Sequence, residues 1–263
     1  MVEADVAIIG GSGLYSIFSP GASGHLATIT PSTPYGPTSG DIEIAEVGGV
    51  RTAFLSRHGP GHRFPAHKIP YRANLHALAE LGVKQIIGSC AAGSLQREAV
   101  PGSLVVPDQL VDQTHTRVQT FHDDSDGTTV HAQFAEPYCA RVRESLLVTC
   151  QTGDWAAEDG GAMVVIEGPR FSTRAEAGWY ASAGWTLVNM TGHPEAVLAR
   201  ELRLCYATLA LVTDYAANLT TGAGVSEAEV FRLVERNLDR LRLLLPQAVE
   251  HLPDPAGCRC HGQ

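Results

Sequence analysis

The chain has 263 residues, 44% of them hydrophobic and 18% charged, and a formal net charge of −9. That apolar share supplies a sizeable core for one large α/β domain, and there is neither an apolar run long enough for a transmembrane helix nor a Lys/Arg cluster of nucleic-acid type. A polyanion-binding surface and a helical membrane span are therefore excluded, whereas one small anion is not, because a few cations and backbone N–H groups can hold a phosphate.

At the N-terminus, Glu3 and Asp5 stand where a signal peptide needs basic residues, so a cytoplasmic protein is expected. Val6 to Ile9 reads as a buried strand running into the turn Gly10-Gly11-Ser12-Gly13. Val50 to Leu55 is a second strand, followed by Ser56-Arg57-His58-Gly59. Apolar spacing predicts a helix over Tyr71 to Leu81, stopped by Gly82. Val83 to Ile87 reads as a strand ending in a turn of small residues, Ser89 to Gly93. Further strands are expected at Leu104 to Pro107, Ala162 to Ile166, Thr186 to Met190 and Tyr206 to Val212, with a helix over His193 to Leu202. The polar, His-containing stretch Thr114 to Tyr138 reads as an inserted functional loop. Ser226, with Glu229 three residues on, predicts the cap of a long amphipathic helix reaching Leu245.

Strands alternating with helices predict an α/β fold: a single domain with a mixed, mostly parallel central sheet flanked by helices. The domain is expected over residues 1–250, with a C-terminal tail at 251–263. Six scattered cysteines do not form a disulfide framework. Cys258-Arg259-Cys260-His261 is expected to be a solvated tail. A metal fragment or a local disulfide is the alternative, but the stretch lacks four convergent ligands.

In an open α/β sheet, ligands bind beyond the carboxyl ends of strands. Four such ends carry polar or small residues here: Gly11-Ser12-Gly13, Arg57-His58, Ser89-Cys90-Ala91 and Asn189-Met190-Thr191-Gly192. The first lacks the glycine spacing of a dinucleotide fold, which disfavours an oxidoreductase. Each alone has a bland reading as a surface turn, and Asp214 alone reads as a helix cap.

Longer strings add to this: Ala91-Ala92-Gly93-Ser94-Leu95, Val106-Pro107-Asp108-Gln109-Leu110, Ala135-Glu136-Pro137-Tyr138-Cys139 and Ile166-Glu167-Gly168-Pro169-Arg170-Phe171-Ser172. In their shared order with the strand-end turns, they resemble the 5′-methylthioadenosine phosphorylase branch of the trimeric purine nucleoside phosphorylases, over roughly residues 5 to 245. The resemblance implies a homotrimer that binds phosphate and a purine nucleoside, with no nucleic acid and no membrane as partner. It places phosphate ligands at Ser12, Arg57, His58, Cys90, Ala91 and Thr191. It sets Met190 against the ribose, Phe171 on the purine ring, Val230 in the nucleoside pocket and His131 in the 5′ pocket of a neighbouring subunit. Asp214 faces purine N7 as the catalytic acid. Inorganic phosphate is the co-substrate, and the chemistry requires no metal or organic cofactor.

Three positions depart from the pattern. The adenine-reading branch carries Thr-Asp-x-Asp, whereas this chain has Thr213-Asp214-Tyr215-Ala216, with Asn218 as a substitute acceptor nearby. Glu227 stands where relatives place small apolar residues, although a solvated first-turn glutamate is the bland reading. Cys90 replaces a common threonine, and a thiol is the weaker donor. The expected activity is phosphorolysis of 5′-methylthioadenosine or a related 5′-modified nucleoside to free base and pentose 1-phosphate. Action on 6-oxopurine nucleosides and an inactive nucleoside-binding protein are the alternatives.

Overall fold

The computed structural model describes residues 2–11, 14, 18, 20–123, 130–220 and 224–261. In chain order the strands are β1 (Val6–Gly10), β2 (His25–Ile29), β3 (Ile42–Val47), β4 (Val50–Ser56), β5 (Gln85–Ser94), β6 (Leu104–Val106), β7 (Gln109–Gln113), β8 (Ala157–Asp159), β9 (Ala162–Ile166), β10 (Leu187–Asn189) and β11 (Cys205–Tyr215). The helices are α1 (Tyr71–Glu80), α2 (Ala140–Thr152), α3 (Arg174–Ser182), α4 (Gly192–Glu201) and α5 (Glu227–Glu250). All the strands belong to one mixed sheet, ordered β2-β3-β4-β1-β5-β10-β9-β7, from which β11, β6 and β8 branch at β5.

β5 organises the site. It runs parallel to β1 only over Gln85–Gly88, but parallel to β11 along its whole length. Its last two residues take β10 as an antiparallel neighbour, Gly93 opposite Val188 and Ser94 opposite Leu187. The small residues Ser89 to Gly93 are therefore not the expected turn but the second half of a long strand. Pairing with β11 carries the chain on, while the other edge is handed from β1 to β10, and the gap between them opens onto the site.

Side-chain pattern explains the layers. Ile8, Phe54 and Ile87 turn to one face with Val142, Leu146, Leu241 and Leu245 of α2 and α5. Ile9, Leu55 and Ile86 turn to the other with Leu75, Leu78 and Leu198 of α1 and α4. These alternate neighbours point to opposite faces because strand side chains have period two. α1 ends as expected at Gly82, whose φ of +92° is glycine territory. α5 starts with the expected capping box between Ser226 and Glu229 and runs past Leu245 to Glu250 through Pro246. α2 and α3 are additions to the expected elements, and Thr173 with Glu176 forms the same cap signature at the start of α3.

The stretch 114–138 contains no helix or strand among its described residues. Arg117 pins it, donating to Ile166 O (3.1 Å), Glu167 O (2.7 Å) and His193 O, and Glu201 accepts from Thr120 Oγ1 and Phe121 N. The tail is not solvated: Cys258 and Cys260 are buried and join the apolar cluster under α2 and α5. Arg141 of α2 holds the tail by donating to Asp254 O and Ala256 O. Among the described residues, no helix is long and apolar enough to cross a membrane.

Candidate active site

A cavity of about 1120 Å³ opens where β1, β4, β5, β10 and β11 end, with α5 across its mouth. Arg57, His58, Cys90, Ala91, Phe171, Met190, Thr191, Asp214 and Val230 all line it. Ser12 lies outside the described residues. His131 is exposed and does not contribute to the lining, so within one chain it stands apart from the other candidates.

At the deep end, Arg57 is 2% exposed and lies just beyond β4. Its Nε and Nη2 donate to the two carboxylate oxygens of Glu195 at 2.7 and 2.8 Å, its Nη1 to Ser89 O at 2.8 Å and its Nη2 to Ile9 O at 3.2 Å. Of the five guanidinium protons, the one not taken among the described residues is on Nη1. Glu195, 1% exposed, also accepts from Tyr206 Oη at 2.8 Å. Tyr206 reaches it over Gly88, where a Cβ would come within 2.3 Å of the phenol oxygen. Burial disfavours the Arg57 charge, but the Glu195 carboxylate outweighs it and keeps the guanidinium protonated. The pair is neutral as a unit, so it offers an anion aimed donors rather than net positive charge.

Sequence reasoning missed Glu195 and Tyr206. The available signal was a single carboxylate in the apolar run Pro194-Glu195-Ala196-Val197-Leu198-Ala199 of a predicted helix. A charge in such a setting is buried only with a partner.

His58 Nδ1 stands 2.8 Å from Phe64 O. A carbonyl only accepts, so Nδ1 carries the proton and the neutral ring leaves a lone pair on Nε2. Burial pulls the imidazole pKa down to about 4, with the neighbouring His62 and Arg57 acting in the same direction against the Phe64 hydrogen bond. His62 stacks on His58 at 4.0 Å between ring centroids. Burial also pushes the Cys90 thiol up to about 12, so it faces the cavity uncharged.

Asn189 fixes the β10 corner. Its Nδ2 donates to Ala91 O at 2.7 Å, while its Oδ1 accepts from the backbone N–H groups of Thr191 (2.6 Å) and Gly192 (2.8 Å). One side chain thereby ties the Ala91 segment to the Thr191 turn. Met190 passes over Gly168, where a Cβ would come within 2.7 Å of the sulfur.

Asp214 lies farther along the cavity wall, on β11. The β5–β11 register shifts between Val212 and Asp214, an irregularity of the kind that re-aims a side chain. Gly93 faces the carboxyl, and a Cβ there would stand 2.9 Å from Asp214 Oδ2. Thr213 Oγ1 donates to Asp214 Oδ1 at 2.7 Å. Burial raises the carboxyl pKa and the Glu229 charge adds to the rise, while the Thr213 hydrogen bond opposes it. Ala216 is buried and lines the same wall. Asn218 does not line the cavity, so the substitute acceptor is not in place. Glu227 is exposed yet part of the lining, beside Val230 and Phe231 at the mouth.

A family model of the phosphorylase superfamily matches residues 5–249. The chain belongs to this superfamily. It is similar to the S-methyl-5′-thioadenosine phosphorylase of Mycobacterium tuberculosis, 49% identical over 251 residues covering 95% of this chain and 90% of the relative. It is equally similar to a purine nucleoside phosphorylase of Streptomyces coelicolor, 49% identical over 258 residues covering 96% of this chain and 90% of the relative. Among solved structures, a methylthioadenosine phosphorylase from an antarctic soil metagenomic library superposes with a TM-score of 0.90 at 40% identity, covering 99% of this chain and 91% of that one. As a superfamily member the chain is a nucleoside phosphorylase, a pentosyltransferase, and its single mixed-sheet domain is the expected fold.

Proposed function

We propose that the cavity carries out phosphorolysis of 5′-methylthioadenosine, with inorganic phosphate as the co-substrate, giving adenine and the pentose 1-phosphate. The observation that carries this reading is the pairing of a half-buried carboxyl with raised pKa, Asp214, and a cradle of uncharged or neutralised donors, Arg57 to Thr191, in one cavity. The names of the similar proteins from Mycobacterium tuberculosis and antarctic soil support the choice of nucleoside.

In this account phosphate sits at the deep end. The remaining Arg57 Nη1 proton, the Thr191 hydroxyl turned from its 3.3 Å contact with Asn189 Oδ1, and the Ala91 backbone donate to it, the Cys90 thiol adds a weak donor, and the His58 Nε2 lone pair accepts the O–H of hydrogen phosphate. A phosphate oxygen forms the new bond to C1′ as the C1′–N9 bond breaks and its electron pair passes to the purine. Asp214 in its acid form gives its proton to N7 as that charge develops, a contribution of about 10²–10⁴ in rate. The proton on the sugar phosphate then returns the carboxylate to its acid form. Anionic phosphate beneath the ring stabilises the cationic sugar, and positioning lowers the entropic part of the barrier. Met190 lies against the ribose, Phe171 on the base, and Val230 with Phe231 at the 5′ substituent.

A homotrimer completes the pocket in this reading, with His131 closing the 5′ end of a neighbouring site. The exposure of His131, of Phe171 at 39%, and of Val118 and Val130 on the same inserted loop supports it. One observation favours a second reading: Ala216 offers no acceptor for an adenine 6-amino group, which suits a 6-oxopurine nucleoside. Chromatographic base release from 5′-methylthioadenosine, 5′-methylthioinosine, adenosine and inosine, with and without phosphate, separates the two. Phosphate-dependent adenine release from the first, exceeding the others in kcat/KM, is expected. Hypoxanthine as the preferred product moves the assignment to the second reading.

A further inference from the structure

The far end of β11 holds a second chemical site. Cys205, its first residue, meets Cys139 at the N-cap of α2 and both tail cysteines, Cys258 and Cys260. The four sulfurs all lie within 4.8 Å of one another, and each residue is buried, at 1%, 3%, 8% and 5% exposure respectively. All four are free thiols. Sγ of Cys139 and Sγ of Cys258 stand 3.6 Å apart. Sulfurs around a tetrahedral zinc ion with Zn–S bonds of about 2.3 Å stand about 3.8 Å apart, so the Cys139–Cys258 pair has the spacing of a coordination shell and the others lie no more than about 1 Å beyond it.

We infer that Cys139, Cys205, Cys258 and Cys260 form a structural Zn²⁺ site that fastens the C-terminal tail to the base of the sheet. The two ligands that Cys258-Arg259-Cys260 lacks as an isolated string, Cys139 and Cys205, come from far upstream in the chain. Four thiolates select zinc over hard cations and leave no open coordination position, so the site is structural rather than catalytic.

The surroundings suit thiolates around a dication. Cys139 caps the N-terminus of the 13-residue α2, where the helix dipole favours negative charge. His261 Nε2 lies 3.6 Å from Cys205 Sγ, and in its Nε2–H form it donates to that sulfur. Backbone bonds hold the ligand segments in place: Cys139 N to Tyr206 O at 2.8 Å, Cys205 N to Lys84 O at 2.9 Å and His261 N to Cys258 O at 3.1 Å. The metal would add a coordinate link among three chain segments that also meet through apolar contacts, the Cys139 N to Tyr206 O bond and the Arg141 hydrogen bonds.

The test is elemental analysis and native mass spectrometry of the full-length protein, produced with zinc and purified under reductant without chelator. About one zinc per chain is expected in the wild type and in Cys150→Ser, a buried cysteine outside the cluster, and less than about a tenth of that in Cys258→Ser/Cys260→Ser. Cobalt(II) exchanged into the wild type should give the thiolate-to-metal charge-transfer band and the d–d bands of a tetrahedral site, a readout that holds even if the double variant folds poorly. Four reduced thiols without bound metal, disulfides among these cysteines in the reductant-purified protein, or unchanged zinc in the double variant would each overturn the site.

Discussion

The two ends of the cavity are built differently. The end we assign to phosphate is locked by buried polar bonds: Arg57 to Glu195, Glu195 to Tyr206, and Asn189 to Ala91 and Thr191. The end we assign to the nucleoside is made of a loop and a helix, with Phe171 39% and Phe231 47% exposed and Glu227 at the mouth. Asp214 stands between them on a bulged strand. The contrast shows where rigidity is needed. An oxyanion must be met by donors already in place, because reorganising them during the reaction raises the barrier, whereas a base and a 5′ group can be read by softer, more exposed surfaces.

The largest effect is expected at the junction of the two ends. Asp214→Asn should lower kcat on 5′-methylthioadenosine by about 10²–10⁴ while leaving KM close to wild type. Unchanged turnover in steady-state assays would remove Asp214 from the acid role. Nearly as large is the effect of loosening the rigid end. Glu195→Gln leaves the Arg57 cation buried without its counter-charge and should destabilise the fold by about 3–5 kcal/mol, measured by urea unfolding. A loss below about 1 kcal/mol would mean that the deep end is less tightly built than its hydrogen bonds imply.

At the soft end, Ala216→Asp restores the missing acceptor. The ratio of kcat/KM for 6-amino over 6-oxo nucleosides should rise by about tenfold to a hundredfold. Because the readout is a ratio, a stability cost at this buried position does not mask it. An unchanged ratio would show that the 216 side chain does not read the base.

The smallest effect is a pH dependence of stability. The folded His58 imidazole is held near pKa 4, below its ordinary 6.5, so the unfolded chain binds a proton there that the folded chain refuses. Its stabilising contribution is complete above about pH 6.5 and is lost as pH falls toward 4. His62, also lowered, acts with the same sign. Asp214, raised, has the opposite sign, its contribution being lost as pH rises through its folded pKa. Comparing wild type with His58→Gln holds those two constant, and the variant should show the flatter decline in melting temperature between pH 6.5 and 4. Parallel curves would place His58 in contact with solvent.

Much of the frame was legible because it rests on local pattern. Alternating or continuous apolar runs marked β1, β4 and β11, and Ser226 with Glu229 marked the start of α5. Most of the expected site residues share the cavity because Arg57, His58, Met190 and Thr191 directly follow β4 and β10, while Cys90, Ala91 and Asp214 lie on the last stretches of β5 and β11. What stayed hidden depends on partners distant in the chain. Glu195 gains its meaning only from Arg57, 138 residues earlier. Ser89 to Gly93 reads as a turn until β11 is seen to pair with it. The tail cysteines look solvated until Cys139 and Cys205 are brought to them. Asn218 failed the other way: nearness in sequence to Ala216 did not bring its side chain to the cavity.

The most direct test of the central claim is the fate of phosphate in a reaction with 5′-methylthioadenosine, followed by phosphorus NMR together with adenine release. The account predicts that a sugar 1-phosphate ester grows in step with adenine and that neither forms without phosphate. Adenine release at the same rate in phosphate-free buffer, with no ester signal, would make the cavity a hydrolase site and contradict the account.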